Sequence, residues 1–299
     1  MNAKLLYGAV CAAITPLHED GTVDEEGVRR LCRHLNDACV PGLYPNGTNG
    51  ESLSLSQAER ERVARIYVEE NAGKSTLYIQ CGAATVAESY AHVAYAREIG
   101  ADGAGLMTPV FFAADEAAMR LYFDELLDAE RDIPVYAYNI PPRTGTDLSP
   151  GLLGDLMGRH ENLVGVKYSY AEPAKLAEYV RCAPRRASVL VGSDALAMYC
   201  HLIGGDGWVS GPCAAFPRRH VKLYRALTGK DYARAAALED TITQAARRMA
   251  SIPEIPAIKY MLKRMGVIAC DRCRRPLRPL TDAEKSTLDA LQDEYLMET

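Results

Sequence analysis

Eight short apolar runs, each separated from the next by a stretch of helical periodicity, constrain the fold of this chain more than any other feature. They are 8–14 (GAVCAAI), 42–46 (GLYPN), 77–83 (LYIQCGA), 103–109 (GAGLMTP), 134–140 (PVYAYNI), 163–169 (LVGVKYS), 188–193 (SVLVGS) and 206–211 (DGWVSG). None alternates polar with apolar residues, so each predicts a parallel strand covered on both faces. Helix starts of the S/T-x-x-E type lie between them: Thr22 with Glu25, Ser56 with Glu59 and Thr85 with Glu88. In such a box each side chain satisfies backbone donors of the first turn. Eight β-then-α units predict an α/β fold, the (β/α)8 TIM barrel, with strands closing into a packed core ringed by helices. A doubly wound open sheet would call for a glycine-rich phosphate loop after the first strand, and ITPLHEDG is not one. From residue 221 the pattern is wholly helical, which predicts a catalytic barrel over 1–220 and a helical region over 221–299 packed on it.

The 48% hydrophobic content suits a large core, and the net charge of -5 leaves no basic surface for nucleic acid. The basic cluster CDRCRRPLR at 270–278 is short and interrupted by proline. No membrane partner is expected. AKLLYGAVCAAITPL resembles a signal peptide, but Ile14, Thr15 and Pro16 lead into the polar turn HEDGTVDEEG and favour a first strand. Nine cysteines scattered through apolar stretches fit reduced thiols and a cytoplasmic protein. Cys270 and Cys273 form a lone CxxC without a second ligand pair, so no metal and no cofactor is expected.

In a barrel of this kind the chemistry sits at the C-terminal ends of the strands. There the second unit ends in NGTNGES (46–52), whose glycines allow a tight turn beside Thr48 and Asn49. That turn suits a carboxylate or phosphate oxygen; the alternative is a plain polar turn. The fifth run ends in YNIPPRTG, with Tyr138 at the strand end and Arg143 in a proline-stiffened loop. A guanidinium there can grip an anionic group in a two-pronged hydrogen bond, the rival being a surface salt bridge. For Tyr138 the rival is packing. Lys167 stands in LVGVKYS among Leu163, Val164 and Val166. Burial disfavours its ammonium form, and a neutral amine is the nucleophile that attacks a ketone to form an imine. A buried ion pair is the alternative. The barrel topology places Lys167 and Tyr138 on adjacent strands, within reach of each other over the core.

Together G47-T-N-G-E51, Y138-N-I-P-P-R-T-G145, G165-V-K167 and G192-S-D194 resemble the dihydrodipicolinate synthase and N-acetylneuraminate lyase family of pyruvate-dependent class I aldolases. The resemblance runs essentially the full length. It implies a Schiff base between Lys167 and pyruvate, Tyr138 as acid/base and Thr48 as proton relay. It further implies that the Thr48 and Asn49 amides hold the pyruvate carboxylate and that Gly192 and Val209 line the pocket. A homo-oligomer, dimer or tetramer, is implied as well. The partner substrate is a small aldehyde. Arg143 matches the synthase arginine for the carboxylate of aspartate semialdehyde. Asn49 and Phe111 depart from the synthase pattern, Phe111 standing where a relay tyrosine comes across the dimer. Asp194 is half of the Asp-Glu pair that the sialic acid lyases use for sugar hydroxyls. N-acetylneuraminate lyase, 2-keto-3-deoxy sugar acid aldolase and 4-hydroxy-2-oxoglutarate aldolase therefore stay open beside the synthase. A keto-acid sensor without turnover stays open too.

Overall fold

Eight parallel strands close on themselves in chain order in the computed structural model, which describes residues 3–297. The strands are β1 (Gly8–Cys11), β2 (Gly42–Leu43), β3 (Thr76–Gln80), β4 (Gly103–Met107), β5 (Val135–Asn139), β6 (Leu163–Tyr168), β7 (Ser188–Val191) and β8 (Gly207–Ser210), with β8 pairing back onto β1. Every expected strand is present. The helices of the barrel are α1 (Glu25–Asp37), α2 (Gln57–Asn71), α3 (Val86–Glu98), α4 (Glu116–Ala129), the short α5 (Pro141–Thr144), α6 (Pro150–Arg159), α7 (Pro173–Cys182), α8 (Ala197–Leu202) and α9 (Pro217–Thr228). Three more follow: α10 (Tyr232–Arg248), α11 (Glu254–Arg264) and α12 (Asp282–Met297). Residue 220, where the sequence pattern divides barrel from extension, lies inside α9, which packs against β1. No helix among the described residues is long and apolar enough to cross a membrane.

Two of the expected helix starts hold. Ser56 and Glu59 form a reciprocal capping box on α2, and the Thr85 side chain accepts from the Glu88 N–H on α3. The third is corrected: α1 is capped by Asp24, whose carboxylate accepts from Gly27 N–H at 2.8 Å. Glu25 is then the first helical residue rather than the third, and Thr22 turns back to Asp20.

The barrel interior is built around four tyrosines: Tyr44, Tyr78, Tyr136 and Tyr138, all buried. Rings of that size fit because glycines face them. A Cβ at Gly105 would fall 1.7 Å from the Tyr44 hydroxyl, and one at Gly165 would fall 2.3 Å from the Tyr136 ring. At the N-terminal mouth residues 4–6 plug the barrel. Tyr136 accepts from Leu6 N–H at 2.9 Å and bonds to Ser188, while Tyr78 donates to the Lys4 carbonyl at 2.9 Å.

The extension reaches the opposite mouth through one buried ion pair. Lys259 on α11 is fully buried and donates to Glu51, which also accepts from Arg274 N–H at 2.6 Å. Glu51 carries a left-handed φ of 56° at the end of the NGTNG turn, so this clamp holds a backbone conformation that costs energy in isolation.

Candidate active site

Strands β5 and β6 pair in parallel, with a register irregularity between Val135 and Tyr136 beyond which Tyr138 lies directly opposite Lys167. Because alternate residues share a face, both side chains project into the barrel from its C-terminal half. The Lys167 amine lies 3.9 Å from the centre of the Tyr138 ring and 4.6 Å from that of Tyr44. It is 4% exposed, and the two rings meet edge to face at 6.1 Å. Burial is the dominant influence and lowers its pKa, against the opposing pull of Tyr138 and of Glu254. More of the amine is therefore uncharged near neutral pH than for an exposed lysine, while the ring faces favour any cation that later forms at that nitrogen.

Tyr138 reaches Thr48 through a hydroxyl–hydroxyl contact of 3.2 Å. The turn that carries Thr48 is set by several ties. Asn46, at φ 59°, donates through its side chain to the Arg60 carbonyl, and Thr15 donates to the Gly50 carbonyl at 2.8 Å. Arg60 itself is buried and grips the carbonyls of Gln80 and Gly82. Asn49 is nearly buried, and its amide donates to Glu254 at 3.5 Å.

Beside this cluster a cavity of about 270 Å³ opens at the ends of β7 and β8. Gly192, Asp194, Val209 and Ser210 form its floor and Glu254 part of its far wall. Gly192 donates its N–H to the Tyr168 carbonyl at 2.7 Å, and a Cβ there would strike Ser169. Asp194 accepts from Ser210 at 3.0 Å and faces the buried His220 at 3.4 Å. Burial opposes charge on His220, but Cys213, Asp194 and the Phe216 carbonyl outweigh it and raise its pKa to about 9. Arg143, on α5, is exposed, and its guanidinium makes no hydrogen bond or ion pair among the described residues. Its charge is felt at Glu254.

The structure thus brings Lys167, Tyr138 and Thr48 into one cluster, sets Gly192 and Val209 in the lining of the adjoining cavity, and joins Asn49 to that lining through Glu254. Arg143 is not among the lining residues and stands exposed on α5, near enough for its charge to act on Glu254. Phe111 is 88% exposed, at φ 71°, stacked edge to face on Phe112 and tied to Thr144 only through its N–H. Tyr168, which follows the lysine, points outward into the helix layer and bonds to Glu172. Cys270 and Cys273 join no group of metal-binding side chains among the described residues. Two residues of the site lie outside the sequence motifs. Tyr44 flanks the amine, with a buried hydroxyl that has no hydrogen-bond partner among the described residues, and Glu254 comes from the extension.

Comparison with known proteins agrees with the barrel fold. The model of the dihydrodipicolinate synthetase family matches residues 5–294. A 4-hydroxy-tetrahydrodipicolinate synthase from Bartonella bacilliformis is 31% identical over 286 residues, covering 96% of this chain and 97% of that protein. An uncharacterized DapA-like lyase from Thermofilum pendens is 31% identical over 285 residues, 94% of each chain. Among solved structures, YagE is a prophage protein of the dihydrodipicolinic acid synthase family from E. coli K12, crystallised in complex with pyruvate. It superposes with a TM-score of 0.93 at 28% identity, covering 98% of this chain and 99% of its own. The chain belongs to the dihydrodipicolinate synthetase family and is a lyase of the class I aldolase type.

Proposed function

We propose that this enzyme joins pyruvate to, or releases it from, a small aldehyde through a Schiff base on Lys167. The observation that carries the proposal is the buried amine of lowered pKa, facing Tyr138 on the next strand, with Tyr138 in turn bonded to Thr48. The pyruvate complex of the similar prophage protein supports the choice of keto acid.

Lys167 attacks the ketone carbon of pyruvate, and the ketone oxygen leaves as water once protonated, giving an iminium. Loss of a methyl proton turns the iminium into an enamine, whose carbon attacks the aldehyde carbon while the aldehyde oxygen takes up a proton. Water then hydrolyses the product iminium to free the keto acid and restore the Lys167 amine. Tyr138 moves these protons and Thr48 connects it to the cleft. The Thr48 and Asn49 amides hold the pyruvate carboxylate, and the backbones of Gly192 and Val209 line its pocket. The unpaired Arg143 favours an aldehyde with a carboxylate of its own, of which aspartate semialdehyde is an example. The exposed Phe111–Phe112 pair favours a homo-oligomer in which a second copy covers it. Buried thiols such as Cys11, Cys81 and Cys213 suit a cytoplasmic setting.

Borohydride reduction in the presence of pyruvate tests the proposal. A stable mass increase should appear on the peptide that contains Lys167 and be absent from Lys167→Ala. Absence of the increase from the intact protein, or an equal one on the variant, would refute it.

A further inference from the structure

Glu254 is the first residue of α11, which belongs to the helical extension and not to the barrel. It is nevertheless placed over the strand ends. A Cβ at Gly211, just past β8, would lie 2.4 Å from its Oε1 and 2.1 Å from the Asn49 Nδ2. Only a glycine at 211 lets the helix and the β2 turn meet across that point. One wall of the cavity that Glu254 lines is apolar, formed by Met249, Ile252 and Ile258, and the Glu254 carboxylate stands at its open, solvent-reached side. Desolvation by the surrounding protein atoms and the neighbouring Asp194 push the Glu254 carboxyl pKa up, while Asn49, Arg143 and Lys167 pull it down.

The hydrogen bonding of Glu254 is incomplete. Its side chain has a single partner among the described residues, the Asn49 amide, at the long distance of 3.5 Å and on one oxygen only. A carboxylate offers about four acceptor positions, so most of its capacity is open to water and to a donor that enters the cavity and displaces that water.

We propose that Glu254 is a specificity-determining residue that accepts a hydrogen bond from a hydroxyl group on the aldehyde half of the substrate. This rests on the aldolase function proposed above and narrows its substrate class. An anion is excluded from this wall by Asp194 and Glu254 themselves. An ammonium is disfavoured because Lys167 becomes a cationic iminium during the reaction and Arg143 adds a second positive charge. A bare hydrocarbon would cover the carboxylate without satisfying it. A hydroxyl is the neutral donor that fits. With the exposed Arg143 near enough for its charge to act on Glu254, the aldehyde is a short chain that bears both a hydroxyl and a carboxylate.

The experiment compares pyruvate-dependent turnover of glyceraldehyde with that of propanal, which lacks the hydroxyls, in the full-length enzyme and in Glu254→Leu and Glu254→Gln. The wild type should favour glyceraldehyde in kcat/KM. Glu254→Leu should lower that preference about 10- to 100-fold, the range for a hydrogen bond to a charged group. Glu254→Gln, which keeps one acceptor oxygen, should restore part of it. Uptake of the pyruvate–borohydride adduct by each variant shows that its site is folded, so a changed ratio then reports selectivity. A wild type without preference, or a ratio that Glu254→Leu leaves in place, overturns the inference. Failure of the wild type to form the adduct brings down the aldolase function, and this inference with it.

Discussion

Two tyrosines on one strand, Tyr136 and Tyr138, point into the same barrel and do different work. Tyr136, toward the N-terminal mouth, is bonded to the Leu6 N–H and to Ser188, and its ring stands edge to face on Tyr78 at 4.8 Å. The hydroxyls of Tyr136, Tyr78 and Ser188 are each answered by a backbone group of the plug. Tyr138, one pleat further along, bonds to Thr48 and carries Lys167 over its ring. Completeness of the hydrogen bonding separates the end of the barrel that holds the fold from the end prepared to receive a substrate.

Removing the two hydroxyls breaks the comparison most directly. Tyr138→Phe should lower kcat about 10²- to 10⁴-fold, as expected on losing a positioned acid/base, with little change in the urea midpoint. Equal turnover in this variant would return Tyr138 to the class of packing tyrosines. Tyr136→Phe should do the reverse, costing about 1–3 kcal/mol of stability because Leu6 and Ser188 lose a buried partner. Its kcat per folded molecule should match the wild type, and a drop there would show that the two ends are not independent. Lys167→Met sharpens the contrast further. It should abolish the adduct yet raise stability by about 0.5–2 kcal/mol, because the site is strained in the service of reactivity. A lower urea midpoint for Lys167→Met would mean that the amine is structurally satisfied.

Much of this was legible in the sequence. Unalternating apolar runs marked all eight strands, because strands buried on both faces have no polar side to show. Counting strands then put Tyr138 beside Lys167, since parallel neighbours in a barrel follow chain order. The misses have physical reasons. Asp24 outcompeted Thr22 as the cap because its carboxylate already reaches the third N–H of the helix. Tyr44 looked like one more apolar strand residue, and its place over the amine depends on the space left by Gly105, 61 positions away. Glu254 opens a helix in a region that reads as packing. Its contact with Asn49 spans 205 residues, a separation over which no local pattern carries information.

The clamp on Glu51 has a consequence in time as well as in space. The lysine that neutralises this carboxylate lies 208 residues downstream and the amide that completes the grip lies 223 downstream. During synthesis the barrel strands emerge well before either, and until then the strained turn that carries Thr48 and Asn49 has no counter-charge to hold it. The barrel strands thus leave the ribosome before the groups that hold the turn of Thr48 and Asn49 in place.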